Sequence, residues 1–192
     1  MWSFIYRVYK GIHRRLNALK FRGASPHKVA ELMRPHFYYL GKNVMLYTTN
    51  FGTEPYLISI DDNVSVAAGV CFINHDISCF HMADYLGIDR SKVDKVGSII
   101  LHKNCYVGAY SILMPNCSVG ENSIVAAGSI VTKHIPDGEV WGGIPAKFIM
   151  KVEDYARKVE KKSKEYPWLE NKETMSQQQL IRERQKYFFE SD

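Results

Sequence analysis

Histidine is the residue type in this chain best suited to proton transfer at neutral pH, because the unperturbed pKa of imidazole lies near that value. The chain contains seven histidines, which are His13, His27, His36, His75, His81, His102 and His134. A lone histidine is usually structural, and we give that interpretation to six of them. His75 differs because a long interruption of the surrounding sequence pattern begins directly after it. This position makes His75 the first candidate for a general base.

The pattern that is interrupted is an aliphatic residue at every sixth position. The residues in this register are Leu101, Val107, Leu113, Val119, Val125 and Val131, with Ile60, Val66 and Phe72 upstream and a weaker continuation at Leu40 and Leu46. Four positions after each member of the main run comes a small side chain in five cases, at Cys105, Ser111, Cys117, Ser123 and Ser129, and Ile135 in the sixth. A period of six belongs to neither a helix nor a simple strand.

This period predicts a solenoid with three flat faces. Each hexapeptide forms one short strand and a turn, three hexapeptides make one coil, and successive coils stack as parallel strands about 4.8 Å apart. An ordinary β-sandwich is the alternative, but its strands do not keep a phase of six residues. The small residues fit where the chain bends inward. Cys105 and Cys117 are therefore expected in the core and not as nucleophiles.

Four further motifs accompany the hexapeptides between about residues 40 and 150. They are Phe51-Gly52-Thr53-Glu54-Pro55-Tyr56-Leu57, Phe72-Ile73-Asn74-His75-Asp76, Ala126-Ala127-Gly128-Ser129-Ile130-Val131-Thr132-Lys133 and Trp141-Gly142-Gly143-Ile144-Pro145-Ala146-Lys147. In this order they resemble the hexapeptide-repeat acyltransferases, in particular the sugar O-acetyltransferases related to galactoside, maltose and capsular-polysaccharide acetyltransferases. The expected fold class is all-β, a left-handed parallel β-helix with an N-terminal helical cap and C-terminal helices.

The resemblance also implies a chemistry. It predicts an enzyme that transfers an acetyl group from acetyl-CoA to a sugar hydroxyl of a glycan or polysaccharide precursor, by direct attack in a ternary complex and without a metal. His75 then takes the proton of the attacking hydroxyl as the general base. Glu54, Asn74 and Asp76 are candidates to support the imidazole or to bind the acceptor, and a carboxylate is a common partner of a histidine base.

In this family coenzyme A lies in the groove between neighbouring prisms of a homotrimer. Matching residue by residue places Ala109 and Ala127 along the pantetheine arm, where small side chains let it approach the backbone. Thr132, Lys133 and Lys147 then fall near the nucleotide end, where a lysine ammonium suits phosphate. Relatives have a second basic residue after the glycine-proline segment. Here Met150 precedes Lys151, which puts the contact to the 3′-phosphate in doubt.

The interruption of the register extends over residues 76–95. Long loops that leave a rigid scaffold often carry function. We expect this loop to project from the prism, to cover the groove of the neighbouring chain and to help define the acceptor.

The chain is expected to have three segments: a basic amphipathic helical cap (1–35), the β-helix catalytic domain (36–150) and a C-terminal helical extension (151–192). Apolar residues at helical spacing alternate with basic ones in the first twenty or so positions. Such a helix either caps the open end of the solenoid or makes peripheral contact with an anionic membrane, and both interpretations stay open. Further helices are expected up to about Glu165, before Pro167, and over about 176–188.

Composition excludes several classes. The hydrophobic fraction of 46% and charged fraction of 23% are ordinary for a globular protein. The net charge of +5 is modest and falls mainly in the N-terminal arm, so no nucleic-acid partner is expected. The four cysteines form no CxxC pair, and no stretch reaches the roughly 18 apolar residues of a membrane span. We expect a cytoplasmic protein, and membrane association through its N-terminal helix stays open.

Three other functions are compatible with parts of the pattern. An N-acetyltransferase acting on an amino sugar makes similar demands on one base, and a non-catalytic β-helix scaffold needs no base. A γ-class carbonic anhydrase needs a three-histidine zinc site with two ligands separated by four residues. His75 and His81 are separated by five, so no metal site is expected. The sequence does not identify the acceptor.

Overall fold

The computed structural model of the chain describes residue 21 and residues 23–190. The helix expected over the first twenty residues lies outside this range. The chain divides into two compact units, residues 1–150 and 151–192.

The first unit is a parallel β-helix with three faces, which we name A, B and C in the order in which the chain visits them. Face A contains β1 (Tyr39–Leu40), β3 (Ile58–Ile60), β6 (Ile99–Leu101), β9 (Cys117–Val119) and β12 (His134–Ile135). Face B contains β2 (Met45–Leu46), β4 (Ser65–Val66), β7 (Tyr106–Val107), β10 (Ile124–Val125), β13 (Glu139–Gly142) and β14 (Lys147–Lys151). Face C contains β5 (Cys71–Phe72), β8 (Ile112–Leu113) and β11 (Ile130–Val131). All strand pairs among β1–β13 are parallel.

The pairing confirms three hexapeptides per coil. Val107 pairs with Val125 and Leu113 with Val131, so residues 18 positions apart lie on neighbouring strands. Every aliphatic residue of the predicted register is buried, from Leu40 to Val131. Their side chains form one continuous core along the axis of the prism.

The small residues of the register are buried as predicted, and the serines among them are satisfied by backbone carbonyls. The hydroxyl of Ser123 donates to the carbonyl of Pro136 (2.7 Å), and that of Ser129 donates to the carbonyl of Ala126 (2.6 Å). Burial raises the pKa of the Cys105 and Cys117 thiols to about 12, so both stay protonated at neutral pH. The prediction that they belong to the core is confirmed.

Ile135 does not hold a position equivalent to the small residues. It pairs with Val119, 16 residues earlier, so this coil is two residues shorter than the one before it, in which Leu101 pairs with Val119. Ile135 thereby takes the inward aliphatic position, where it is fully buried.

Among the described residues, one helix precedes the strands of the first unit, and two helices lie in the second unit. Helix α1 (Pro26–Met33) is capped by the Ser25 side chain and buries Val29, Ala30 and Met33, which belong to the core of the prism. The second unit contains α3 (Val152–Ser163) and α4 (Gln177–Phe189), as predicted from sequence to within two residues. No helix in the described part of the chain is both long and apolar enough to cross a membrane.

Candidate active site

His75 lies where the chain leaves the prism. The excursion of residues 76–95 begins and ends at one narrow neck, at which His75 forms an antiparallel bridge with Val96. The backbone amide of Asp76 donates to the carbonyl of Lys95 (2.8 Å), and the two side chains form an ion pair of 2.6 Å. The neck thus closes the insertion, and the coil above it resumes its register.

The sequence indicated a plain loop over residues 76–95, but the excursion has helical structure. It contains helix α2 (Ser78–Leu86), which ends at Gly87 in the left-handed conformation, and a short 3-10 helix (Arg90–Lys92). The missed signal is the spacing of Cys79 and Ala83, which are the two buried residues of α2. The ring of Phe80 meets the His75 imidazole edge-on, with centroids 6.1 Å apart. The helix therefore forms one wall beside the candidate base.

Glu54 contacts the imidazole at Nδ1. Its Oε1 lies 3.3 Å from Nδ1 of His75, and both side chains are largely buried. The Tyr56 hydroxyl and His75 hydrogen-bond to this carboxyl and hold its pKa below its ordinary value. An ionised carboxylate only accepts hydrogen bonds, so Nδ1 carries the proton when the imidazole is neutral, and Nε2 then presents its lone pair. This is the tautomer that a general base acting through Nε2 needs.

Asn74 holds Glu54 in place. Its fully buried amide accepts from the Glu54 backbone N–H (3.1 Å) and donates to the carbonyls of Phe51 (3.1 Å) and Glu54 (2.8 Å). The turn also needs Gly52, whose φ is +70°, because a Cβ there would lie 2.5 Å from the Asn74 side-chain oxygen. Asn74 thus sits beneath the imidazole, where it shapes the turn that carries the carboxylate.

The structure does not place the Asp76 carboxylate on the imidazole. Besides Lys95, it accepts from the backbone N–H of Ser78 (3.0 Å) at the start of α2. The ion pair with Lys95 is the largest cause of a pKa well below the usual range of an aspartate. Asp76 therefore closes the neck, and of the two acidic candidates only Glu54 contacts His75.

Asp94 was not predicted from the sequence, yet its carboxylate lies beside Nε2 of His75. One oxygen of its carboxylate lies 3.2 Å from Nε2 of His75. This oxygen approaches away from the direction of a hydrogen bond, so Nε2 is buried without a hydrogen-bond partner. Because 61% of the Asp94 side chain is exposed, it can rotate away without disturbing the core. The arrangement leaves one buried acceptor atom for which the described protein provides no donor.

Four of the five candidate residues for acetyl-CoA binding lie on two edges of the prism. We call the corner between faces B and C edge BC (residues 47–49, 67–70, 108–111 and 126–129) and the corner between faces C and A edge CA (51–57, 73–98, 114–116 and 132–133). Ala109 and Ala127 stack on edge BC, where the Gly128 amide donates to the Ala109 carbonyl (2.8 Å). His75 lies on edge CA, with face C between the two.

The remaining candidate residues for acetyl-CoA binding are exposed. Thr132 and Lys133 follow β11 on edge CA, and Lys147 begins β14. The Lys133 ammonium lies 5.2 Å from the centre of the Trp141 ring. The structure thus stacks the two alanines on one edge and leaves the three polar candidates exposed.

No group of three histidine, cysteine, aspartate or glutamate side chains suited to a metal ion occurs among residues 21 and 23–190. Two large concave surfaces, of about 660 and 390 Å³, lie along residues 164–182 in the second unit. Neither contains a predicted site residue.

Comparison with known proteins locates the repeat and the fold. Residues 98–133 match the family model described as bacterial transferase hexapeptide (six repeats). A hexapeptide-repeat-containing acetyltransferase from Vibrio cholerae has the same fold, with a TM-score of 0.51 at 16% identity over 76% of this chain and 92% of that one. The chain therefore contains a stretch of the hexapeptide repeat and has the fold of that protein.

Two relatives illustrate the similarity to known proteins. Protein CapG of Staphylococcus aureus is 39% identical over 114 residues, which cover 58% of this chain and 62% of CapG. The galactoside O-acetyltransferase of Escherichia coli is 26% identical over 160 residues, which cover 80% of this chain and 76% of that enzyme. The chain therefore spans less than two thirds of the length of CapG.

Proposed function

We propose that the protein is an acetyl-CoA-dependent O-acetyltransferase acting on a sugar hydroxyl, with His75 as the general base on a left-handed β-helix. The observation that carries this proposal is the environment of the imidazole. Glu54 fixes the proton on Nδ1, and Nε2 is buried without a hydrogen-bond partner. The similarity to a galactoside O-acetyltransferase supports acetyl as the group and a sugar as the acceptor.

The reaction follows from these contacts. The sugar hydroxyl displaces Asp94 and donates its hydrogen bond to Nε2 of His75. As the hydroxyl oxygen bonds to the thioester carbonyl carbon, its proton moves to Nε2, and the imidazolium is stabilised by the Glu54 carboxylate. The tetrahedral intermediate then collapses, the carbon–sulfur bond breaks, and the leaving thiolate takes the proton back from Nε2. The products are the acetylated sugar and coenzyme A.

The division of the site between two edges supports a homotrimer. His75 lies on edge CA, whereas Ala109 and Ala127 lie on edge BC, so one prism does not present both to a single thioester. Face C lies between these edges, and its outward residues Cys71, Ile112 and Ile130 form an apolar column. If three copies turn face C toward a common axis, edge CA of each meets edge BC of the next. The pantetheine arm would then lie along Ala109 and Ala127 of one copy beside His75 of its neighbour.

The polar donor candidates have a role in the same arrangement. Thr132, Lys133 and Lys147 are exposed on the side of the prism where the last coils end. A lysine ammonium binds phosphate as a point charge. We propose that these three residues bind the nucleotide phosphates of the donor.

The experiment that tests the base compares His75→Ala with His102→Ala. His102 is a matched control, because its Nδ1 also lies 3.3 Å from a carboxylate oxygen, that of Asp61. His75→Ala should lose about two to four orders of magnitude in kcat, the range for a positioned base, and keep its affinity for acetyl-CoA. His102→Ala should be unchanged. The acceptors should be a panel of sugars and amino sugars with labelled acetyl-CoA, and near-normal turnover of His75→Ala would exclude the proposed base.

A further inference from the structure

A small cleft lies on face A beside the neck of the excursion. Its volume is about 270 Å³, and the lining residues are Tyr38, Tyr56, Leu57, Ser59, Ser98 and Ile100. They come from three successive coils, and the central pair, Ser59 and Ile100, are direct neighbours on β3 and β6. The floor of the cleft is therefore a pair of hydrogen-bonded strands.

The lining has the chemistry of a carbohydrate subsite. Tyr38 is 82% exposed and Tyr56 is 59% exposed, so two aromatic rings are available to a ligand. Leu57 and Ile100 add aliphatic surface, and the hydroxyls of the serines and tyrosines supply hydrogen bonds without charge. A pyranose ring presents a face of C–H groups with hydroxyls around its rim, which matches aromatic and aliphatic surface surrounded by hydroxyls.

The cleft is too small to hold acetyl-CoA. Pockets that enclose drug-sized molecules measure roughly 300–1,000 Å³, and coenzyme A is larger than most such molecules. A space of about 270 Å³ accommodates a single ring. No charged side chain lines it, which also disfavours a phosphate.

The cleft is joined to the candidate base at two points. The Tyr56 hydroxyl hydrogen-bonds to Glu54, and this bond is the main reason that the pKa of Tyr56 lies above its ordinary value. Glu54 in turn contacts His75. Ser98 follows Val96 by two residues, and Val96 pairs with His75 across the neck. A ring held against Tyr56 would therefore have its next sugar beside the imidazole.

We propose that this cleft, formed by Tyr38, Tyr56, Leu57, Ser59, Ser98 and Ile100, binds one pyranose ring of the acceptor while a neighbouring sugar presents its hydroxyl to His75. The inference rests on the proposed function and narrows its substrate class. The acceptor is a glycan of at least two sugars, and a monosaccharide that reaches only His75 binds more weakly.

Binding should be measured without turnover, on protein that carries His75→Ala. Saturation-transfer NMR would compare methyl glucoside, methyl galactoside, maltose, lactose and octyl glucoside as probes. Tyr38→Ala should weaken binding of at least one disaccharide by about fivefold or more, because it removes one ring of the cleft. Tyr47→Ala is the matched control, since it removes an exposed tyrosine that is not part of the cleft. Tyr38→Phe keeps the ring and should keep binding.

Kinetics on protein with His75 intact provide the second readout. Tyr38→Ala should raise the KM of a disaccharide acceptor about fivefold or more and leave the KM of acetyl-CoA unchanged. Circular dichroism would show that the variant is folded, as expected for a residue so exposed.

The outcomes separate the two proposals. Disaccharide binding that Tyr38→Ala leaves intact, or that no probe shows, would overturn the cleft while acetyl transfer by the parent protein could stand. Contact with the alkyl protons of octyl glucoside but not with its ring protons would assign the cleft to an apolar chain and also overturn the inference. Binding lost in Tyr38→Ala, together with no acetyl transfer by the parent protein, would support the cleft and contradict the proposed function.

Discussion

The Glu54→Gln substitution tests how the imidazole is supported. Glutamine has nearly the shape of glutamate and keeps an oxygen that accepts from Nδ1 of His75, so the tautomer and the packing should persist. What it removes is the negative charge that faces the imidazolium as the proton arrives. The charge acts mainly after proton transfer, and so kcat should fall while the KM values of both substrates change little.

The structure sets the size of this effect. A hydrogen bond to a charged group contributes about 1.5–3 kcal/mol. The distance from Nδ1 to Oε1 is 3.3 Å, and the two side chains are 20% and 23% exposed, which places this pair in the lower part of the range. Glutamine keeps a neutral hydrogen bond, which contributes about 0.5–1.5 kcal/mol, so only the difference of about 1 kcal/mol is lost. Since about 1.36 kcal/mol corresponds to a tenfold change in rate, kcat should fall about fivefold.

The assay is steady-state acetyl transfer with labelled acetyl-CoA and a saturating sugar. Asp61→Asn is the control, because it removes the charge from the other pair of this geometry, that of Asp61 with His102. It should leave kcat within about twofold of the parent protein. Unchanged kcat in Glu54→Gln would refute the role of the carboxylate in stabilising the imidazolium. A raised acceptor KM with unchanged kcat would instead assign Glu54 to acceptor binding.

Two further predictions concern assembly and the neck. Sedimentation equilibrium should give three times the chain mass of 22.1 kDa, and Ile112→Glu on face C should give monomers without transfer; a parent protein that is monomeric at micromolar concentration would contradict the shared site. The lowered pKa of Asp76 in the folded state means that its ion pair with Lys95 contributes stability above the unfolded value of about 3.9 and loses it as the pH falls through the lowered folded value. Hydrogen exchange at the Asp76 amide should therefore stay protected from pH 7 to about pH 4, and Asp76→Asn should already be less protected at pH 7; equal protection in the two proteins would show that the ion pair does not hold the neck.

The sequence was most informative about positions that recur in every coil. Each inward aliphatic residue occupies an equivalent place in every coil, so six matches in register were enough to predict the core. The six-residue register did not predict the position of Ile135, because the turn between β11 and β12 is two residues shorter than a hexapeptide allows. The residues before this turn keep the register, so they do not reveal the missing two. A strand pair with an offset of 16 instead of 18 is visible only once the coils are stacked.

Asp94 and Tyr56 illustrate what the repeat does not encode. Asp94 reaches Nε2 of His75 only because the insertion returns to the neck from which it started, an antiparallel contact outside the period of six. Tyr56 lies in one of the recognised motifs, but its bond to Glu54 depends on the conformation of a short 3-10 helix, Pro55–Leu57. Both contacts arise from irregular segments.

The pairing of Glu54 with His75, in contrast, follows from the solenoid itself. Asn50 forms a bridge with Cys71, 21 residues later, and the same offset separates Glu54 from His75. The two side chains therefore occupy equivalent places on successive coils of edge CA, and stacked strands bring such places within about 5 Å of each other. A carboxylate one coil below a histidine is thus held by the backbone pairing of the prism, with Asn74 fixing only the last turn. The strands of this coil pair at an offset of 20 and the Asn50 bridge at 21, so Glu54 comes beside Asn74 and His75 on the next coil, whereas Asp76 faces Lys95 across the neck.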